Sequence, residues 1–394
     1  MTTVGPRDLS PAKPGFTAAP CGVVGASARA AVHSLARAGY LAWAVDQFAD
    51  RDLTRVAACA VCPPDRYPAA LPELAAQFPP GPVLYTGGLE NHPHVVAELA
   101  RTRELWGNPP EVLARVRDPF ALFPALAARG SATPRLVPPG EPCPREGRWL
   151  RKPLRSGGGL GIRFARPNEP ASSDHYFQEF IDGLPMSALY VNATLFGVTE
   201  QLIGVPWLHA APFAYCGNIG PIRSPAGGAF AGFPGPRGIW GIDFILNGDV
   251  PYPVEVNPRY TASAEVLEHA LAKNLTPQPP SLRRKGEPES SLLAPPSFVG
   301  KGGGGLGSCV GKAIYYTPHA MRFPDSGPWD ADLAGAFDPW RLPGFADIPE
   351  PGSAIEAGRP VLTFFATGST PAEVRERLQS RAAELDRIFR DSQP

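Results

Sequence analysis

The chain has 394 residues, long enough for two or three domains with ordinary hydrophobic cores. Lysine plus arginine (37) balances aspartate plus glutamate (37), and no predicted element carries a basic stripe, which argues against nucleic acid or an anionic membrane as partner. The opening MTTVGPRDLSPAKPGF lacks the apolar core of a signal peptide and no apolar run could span a bilayer, so a cytoplasmic protein is expected.

Residues 1–20 read as a polar, proline-containing leader. From Cys21 the pattern becomes strand, glycine turn, helix, strand, with Gly22 and Gly25 placed for a tight βα turn and Asp46 ending the next strand. That is a partial dinucleotide-binding fingerprint. Its third glycine position holds Ala28, so a Rossmann-like half that binds no nucleotide is favoured. Cys59 and Cys62 form a CxxC without a second pair or a nearby histidine, which fits buried thiols better than a metal or redox site. GPVLYTGGLENHP and the helix VVAELARTREL follow; His92 and His94 sit in what reads as a surface turn.

Residues 108–130 read as a linker into a second helical unit, in which Asp118-Pro119 opens a helix. RWLRKPLRSGGGLGIRFA is then a strand bearing Lys152, a glycine loop from Ser156 to Gly161, and a second strand from Ile162. Glycines at such a tip let backbone N–H groups close over phosphates beside a fixed lysine charge; a mobile loop next to a surface lysine is the alternative. HYFQEFIDG is a strand with Glu179 opposite in direction to Phe180, and MSALYVNATLFGVTEQLIGV is a strand pair interrupted near Gly197. The stretch PWLHAAPFAYCGNIGPIRSP reads as a long irregular loop.

GIWGIDFILNGDVPYPVEVNPR is the most informative stretch. It predicts a hairpin turning at Asn247-Gly248-Asp249. Symmetry about Asp249 pairs Ile242 with Val256, Phe244 with Val254 and Leu246 with Tyr252, which gives one apolar face. The same register sets Asp243 opposite Glu255, with Asn257 further along that side. Two carboxylates and an amide oxygen suit a hard cation such as Mg²⁺; two solvated carboxylates are the other reading. Pro251 and Pro253 restrict the second strand to a sheet edge or a loosely paired start. TASAEVLEHALAKN is a helix, and residues 274–308, dominated by Pro, Gly, Ser and charge, read as a disordered insertion. GKAIYY and GRPVLTFFA are strands, and Thr370-Pro371-Ala372-Glu373 starts a last helix whose buried stripe includes Val374, Leu378 and Leu385.

In this order, RKPLRSGGGLGI, QEFIDG and GIDFILNGDVPYPVEVNPR resemble the nucleotide-binding parts of the ATP-grasp superfamily, which includes D-alanine–D-alanine ligase and biotin carboxylase. GASARA, GGLENHP and the tail DIPEPGSAIEAGRPVLTFFATG are similar, more narrowly, to ATP-grasp proteins linked to tetrahydromethanopterin and methanofuran pathways, of the tyramine–glutamate ligase kind. The resemblance implies an α/β fold of α+β ATP-grasp type: a Rossmann-like pre-ATP-grasp domain (21–115), then an ATP-grasp domain with two subdomains clasping ATP (116–273), completed by 309–394 after the insertion. It implies ATP and Mg²⁺ (or Mn²⁺) as cofactors, small-molecule carboxylate and amine substrates, and an assembly that includes a homodimer among its options.

Carried over by motif, Lys152 contacts the α- and β-phosphates and takes part in catalysis, and Ser156, Gly157, Gly158, Gly159 and Gly161 form the flap. Glu179, Phe180 and Ile181 line the adenine edge, and Asp182 reaches the ribose. Asp243, Glu255 and Asn257 hold the metal, and Arg259 faces the transferring phosphoryl group. Relatives carry a further basic residue near the start of the central domain, for which Arg117 is the candidate, and a helix where PAGGAFAGFPGPR cannot form one. The expected activity is an ADP-forming carboxylate–amine ligase acting through an acyl phosphate. An ATP-binding sensor or scaffold without turnover is the main alternative, and a nicotinamide oxidoreductase using Gly22, Gly25 and Asp46 the last.

Overall fold

The computed structural model describes residues 20–170, 172–272 and 309–390. The expected leader, apart from residue 20, and the expected insertion at 274–308 lie outside the described residues.

The front of the chain builds a four-stranded parallel sheet in the order Ala58–Val61, Ala42–Asp46, Cys21–Val24, Val83–Tyr85. Helix Arg29–Arg37 makes the crossover, as the alternating strand–helix pattern predicts. Gly22 is not in the βα turn. It lies inside the first strand, where a Cβ would meet the Trp43 ring at 2.2 Å. Asp46 is fully buried, and its carboxylate accepts from the backbone N–H groups of Ala28 (3.3 Å), Phe48 (3.1 Å) and Ala49 (2.8 Å). The carboxylate of the fingerprint is thus consumed by the chain's own amides. All six cysteines are free thiols, and burial pushes the Cys59 thiol well above its usual range.

Residues 108–130 are more structured than a linker: helix Pro110–Arg117 precedes Pro119–Ala127, which Asp118 caps through Phe120 N–H at 2.9 Å. A small antiparallel sheet follows in the order Leu136–Val137, His175–Glu179, Trp149–Pro153, Arg163–Phe164.

The largest element is an eight-stranded antiparallel sheet, ordered Val250–Asn257, Ile239–Asn247, Leu184–Val191, Thr194–Ile203, Tyr215–Gly220, Cys309–Tyr316, Pro360–Gly368, Phe345–Ala346. The proline-bearing strand is at the edge, where its missing N–H groups cost no pairing. Tyr215–Gly220 corrects the irregular loop expected there. Its glycines are required because a Cβ at Gly217 would fall 2.1 Å from the Lys312 carbonyl oxygen, and one at Gly220 2.6 Å from Thr199. One face packs on the helix Pro371–Arg390 through Val374, Leu378 and Leu385 and, towards the hairpin edge, on the two helices at 110–127. The other face carries helix Ala262–Leu271 and, beyond it, the front domain.

Ion pairs cross the seam between front domain and large sheet, beside an apolar cluster that joins Val32 and Leu35 to Leu189, Ala264 and Leu267. Arg29, fully buried, binds both oxygens of Glu265, and reaches Asp347 at 2.9 and 3.0 Å and Asp52 at 3.5 Å. Lys312 also meets Glu265, at 2.7 Å. These two cations hold the Glu265 carboxyl well below the usual carboxylate range against the cost of its burial. Arg37 pairs with Glu268, to which Ser34 and Tyr260 also donate, at 2.6 and 3.0 Å.

Candidate active site

The hairpin Ile239–Asn247/Val250–Asn257 brings Asp243 opposite Glu255, as its alternation predicts, but by a different route. The turn is the two-residue Gly248-Asp249, with Gly248 at φ +56, so Asn247 pairs with Val250 and Leu246 with Pro251. One extra residue on the second strand then shifts the register between Asp243 and Phe244. Phe244 therefore faces Pro253 and not Val254, and Leu246 faces Pro251 and not Tyr252; beyond the bulge, Ile242 faces Val256 as expected. Ile242, Phe244 and Val256 are fully buried on the apolar side. On the other side Ser187 pairs with Asp243 and Thr199 with Ser187, so the carboxylates begin a polar row across the sheet.

Burial, with Glu255 opposite, pushes the Asp243 carboxyl up to about 6; bonds from Ser187 and Gln201 offset part of that rise. Asn257 donates to Asp243 at 2.9 Å while its oxygen accepts from Arg259 at 3.2 Å. The amide oxygen expected to ligate metal is thus turned to Arg259. Glu255 is paired with Arg117, which also donates to Asn91 Oδ1 (3.3 and 3.1 Å) and to the Ser156 carbonyl (2.9 Å). Arg259 donates to Glu90 at 2.7 Å, and Glu90, although buried, is held below the usual carboxylate range by that guanidinium. Glu90 Oε2 and Arg259 Nε are buried without a hydrogen-bond partner.

Across the cleft, Lys152 projects from strand Trp149–Pro153 and donates to Gln178 at 2.9 Å, with its ammonium 5.9 Å from the Tyr176 ring. Strand pairing sets Lys152 beside Tyr176 and Leu150 beside Gln178, so these four share a face. Glu179 pairs with Trp149 on the opposite face, and its carboxylate is taken by Arg135 through the guanidinium (3.0 Å) and the backbone N–H (3.1 Å). Gln178, buried and pointing at Lys152, stands where Glu179 was expected. Period-two alternation from Lys152 and Tyr176 carries the signal that finds it. Phe180 lies under Arg148 at 4.1 Å, Ile181 is half-buried, and the exposed Asp182 is paired with Arg148 at 2.8 Å.

The loop Ser156–Gly161 folds down toward the large sheet. Gly158, Gly159 and Gly161 have φ of +62, +80 and +76. Tyr215 N–H donates to the Gly158 carbonyl at 3.0 Å, and a Cβ at Gly159 would fall 1.8 Å from the Phe213 carbonyl oxygen. Arg117, Lys152, Ser156, Gly159, Tyr176 and Glu255 line one pocket beneath it. Lysine strand, glycine loop and carboxylate hairpin therefore converge, which the order of motifs along the chain does not require.

A family model of the ATP-grasp domain matches residues 116–263. This chain carries an ATP-grasp domain. No curated protein matches the chain. Among solved structures of the ATP-grasp fold, the L-amino acid ligase from Bacillus licheniformis superposes with a TM-score of 0.61 at 14% identity, covering 93% of this chain and 97% of that one. N5-carboxyaminoimidazole ribonucleotide synthetase from Thermus thermophilus gives 0.59 at 14% identity, over 94% and 98%. The biotin carboxylase domain of the Hydrogenobacter thermophilus 2-oxoglutarate carboxylase, solved with MgADP, gives 0.61 at 13% identity, over 91% and 88%. At such identities the likeness speaks for the fold. In this structure the hairpin, through Val254 and Glu255, and the small sheet, through Lys152 and Tyr176, line one pocket. Among the described residues no group of three or more His, Cys, Asp or Glu could hold a metal ion, so Asp243 and Glu255 are a pair without a third such side chain.

Proposed function

We propose that the protein is an ATP-dependent, ADP-forming carboxylate–amine ligase acting on small molecules in the cytoplasm. The observation that carries this is the single pocket shared by Lys152, the glycine loop, Arg117 and Glu255, with Asp243 and Arg259 alongside. The two carboxylates fit a hard divalent cation: Asp243 is charged only at the expense of its neighbour's repulsion, which a doubly positive ion reverses. Mg²⁺ or Mn²⁺ held by Asp243 and Glu255 would neutralise phosphate charge.

The chain's own groups do the rest. Lys152 and Arg117 place fixed positive charge beside the phosphates, and the N–H groups of Gly157–Gly161 close over them. Gln178, whose side-chain oxygen accepts from Lys152 and from the Tyr176 hydroxyl, leaves its amide N–H groups to donate to the edge of a base. In the reaction a substrate carboxylate oxygen attacks the γ-phosphorus, the bond to the β-bridging oxygen breaks, and ADP leaves. The amine nitrogen then attacks the acyl-phosphate carbon, phosphate departs with the bonding pair, and the nitrogen loses its proton. Arg259, aligned by Glu90 and Asn257, would stabilise the charge on the transferred group.

The test is an ADP-release screen over carboxylates with and without amines, glutamate and tyramine-like amines included. Acid- and amine-dependent release abolished by Arg259→Ala supports the proposal; Mg·ATP binding with no release against any pair overturns it. That second outcome is the non-catalytic reading. It draws on the segment Pro225–Phe230, six residues of 3₁₀ helix where the resemblance leads one to expect an α-helix.

A further inference from the structure

The turn Gly87–Asn91 belongs to the front domain and has no part in the nucleotide motifs, yet it holds both arginines of the site. Its own geometry is fixed. Leu89 is fully buried in the front core, Gly88 has φ +97, and the Tyr67 hydroxyl donates to the Gly87 carbonyl at 3.3 Å. From that base Glu90 accepts from Arg259 and Asn91 accepts twice from Arg117. Asn91 also donates from Nδ2 to the carbonyl of Ser156, the first residue of the glycine loop, at 3.1 Å.

We propose that Asn91 is a positioning residue that latches the nucleotide flap to the front domain. The inference rests on the nucleotide site proposed above. The position needs a group that both donates and accepts: guanidinium can only donate and a carbonyl can only accept, so the two ends of the Asn91 amide are assigned by their partners. The need for a latch follows from the sequence of the loop. Gly157, Gly158, Gly159 and Gly161 give it a large conformational entropy to lose on closing, with little side chain to hold it down. Its order must come from anchors. Tyr215 N–H holds the tip, and Asn91 with Arg117 holds the base. Closure over the phosphates then requires the front domain to be in place, which couples whatever that domain binds to retention of the nucleotide.

Amide hydrogen exchange of the peptide covering residues 155–162 tests this, in wild type, Asn91→Ala and Asn91→Asp, with and without MgADP, alongside calorimetric MgADP affinity. Loss of the bond to Ser156 and loosening of Arg117 should speed flap exchange by about tenfold in Asn91→Ala and weaken MgADP by a similar factor. Asn91→Asp still accepts from Arg117 but cannot donate to Ser156, so its flap should also exchange fast. A merely structural role would lower the melting temperature without selective change in the flap. Flap exchange equal to wild type in both variants overturns the latch. Failure of wild type to bind MgADP overturns the nucleotide site instead, and the flap exchange of the free proteins still decides the latch.

Discussion

The sharpest consequence of the hairpin is a pH dependence of nucleotide binding. Burial first, and Glu255 second, raise the Asp243 carboxyl to about 6. A group with that midpoint is roughly one-tenth ionised at pH 5, half at pH 6 and about nine-tenths at pH 7. If the ionised form grips the cation, MgADP affinity should rise about tenfold from pH 5 to pH 7.5 and then level off. Calorimetric titration of wild type and Asp243→Asn across that range isolates the effect, because protonation of the nucleotide itself is common to both proteins. The expected result is a wild-type-to-variant affinity ratio that climbs about tenfold. A ratio flat with pH would refute the reasoning. Stability carries the same sign: the folded pKa lies above the unfolded value, so this group's contribution is full below about pH 4 and is lost as pH rises through about 6. MgADP should restore it there.

Arg29→Met should cost about 3–5 kcal/mol of stability, because Glu265 would keep Lys312 alone and the buried Asp52 and half-buried Asp347 would lose their shared guanidinium. Chemical denaturation measures it, and a loss below about 1 kcal/mol would contradict the ionic seam. Gln178→Ala should weaken nucleotide binding several-fold while Glu179→Ala, whose carboxylate is held by Arg135 on the other face, should leave it near wild type; the reverse order would make Glu179 the base-edge residue. Gly159→Ala should weaken binding, because its Cβ collides with backbone at Phe213; unchanged binding would mean the seated loop is not the nucleotide-holding one.

Much of the fold was legible because apolar alternation and glycine punctuation coincide with burial. The opening parallel sheet, the edge position of the proline strand and the final helix with Val374, Leu378 and Leu385 inward all follow from period and caps. That last start is a shifted capping box: Thr370 accepts from Glu373 N–H at 3.2 Å, while the Glu373 carboxylate accepts from Ser369 at 2.7 Å.

What the sequence concealed has local causes. Strand Tyr215–Gly220 reads as loop because close backbone approach demanded glycine where a strand would show β-branched residues. Asp243 still meets Glu255 although the turn is one residue tighter than alternation about Asp249 implies, since the bulge at the middle of the hairpin adds back the residue that the tighter turn removes. Glu90 and Asn91 reach the site from a domain far away in sequence, a separation that no motif spacing encodes.

The most direct test of the carboxylate pair is a crystal structure with Mn²⁺ and a non-hydrolysable ATP analogue, read by anomalous scattering. The account predicts a manganese peak between Asp243 and Glu255, with phosphates beneath the Ser156–Gly161 loop and beside Lys152. A metal bound elsewhere, or a nucleotide seated at the Gly25–Ala28 turn of the front domain, would contradict it.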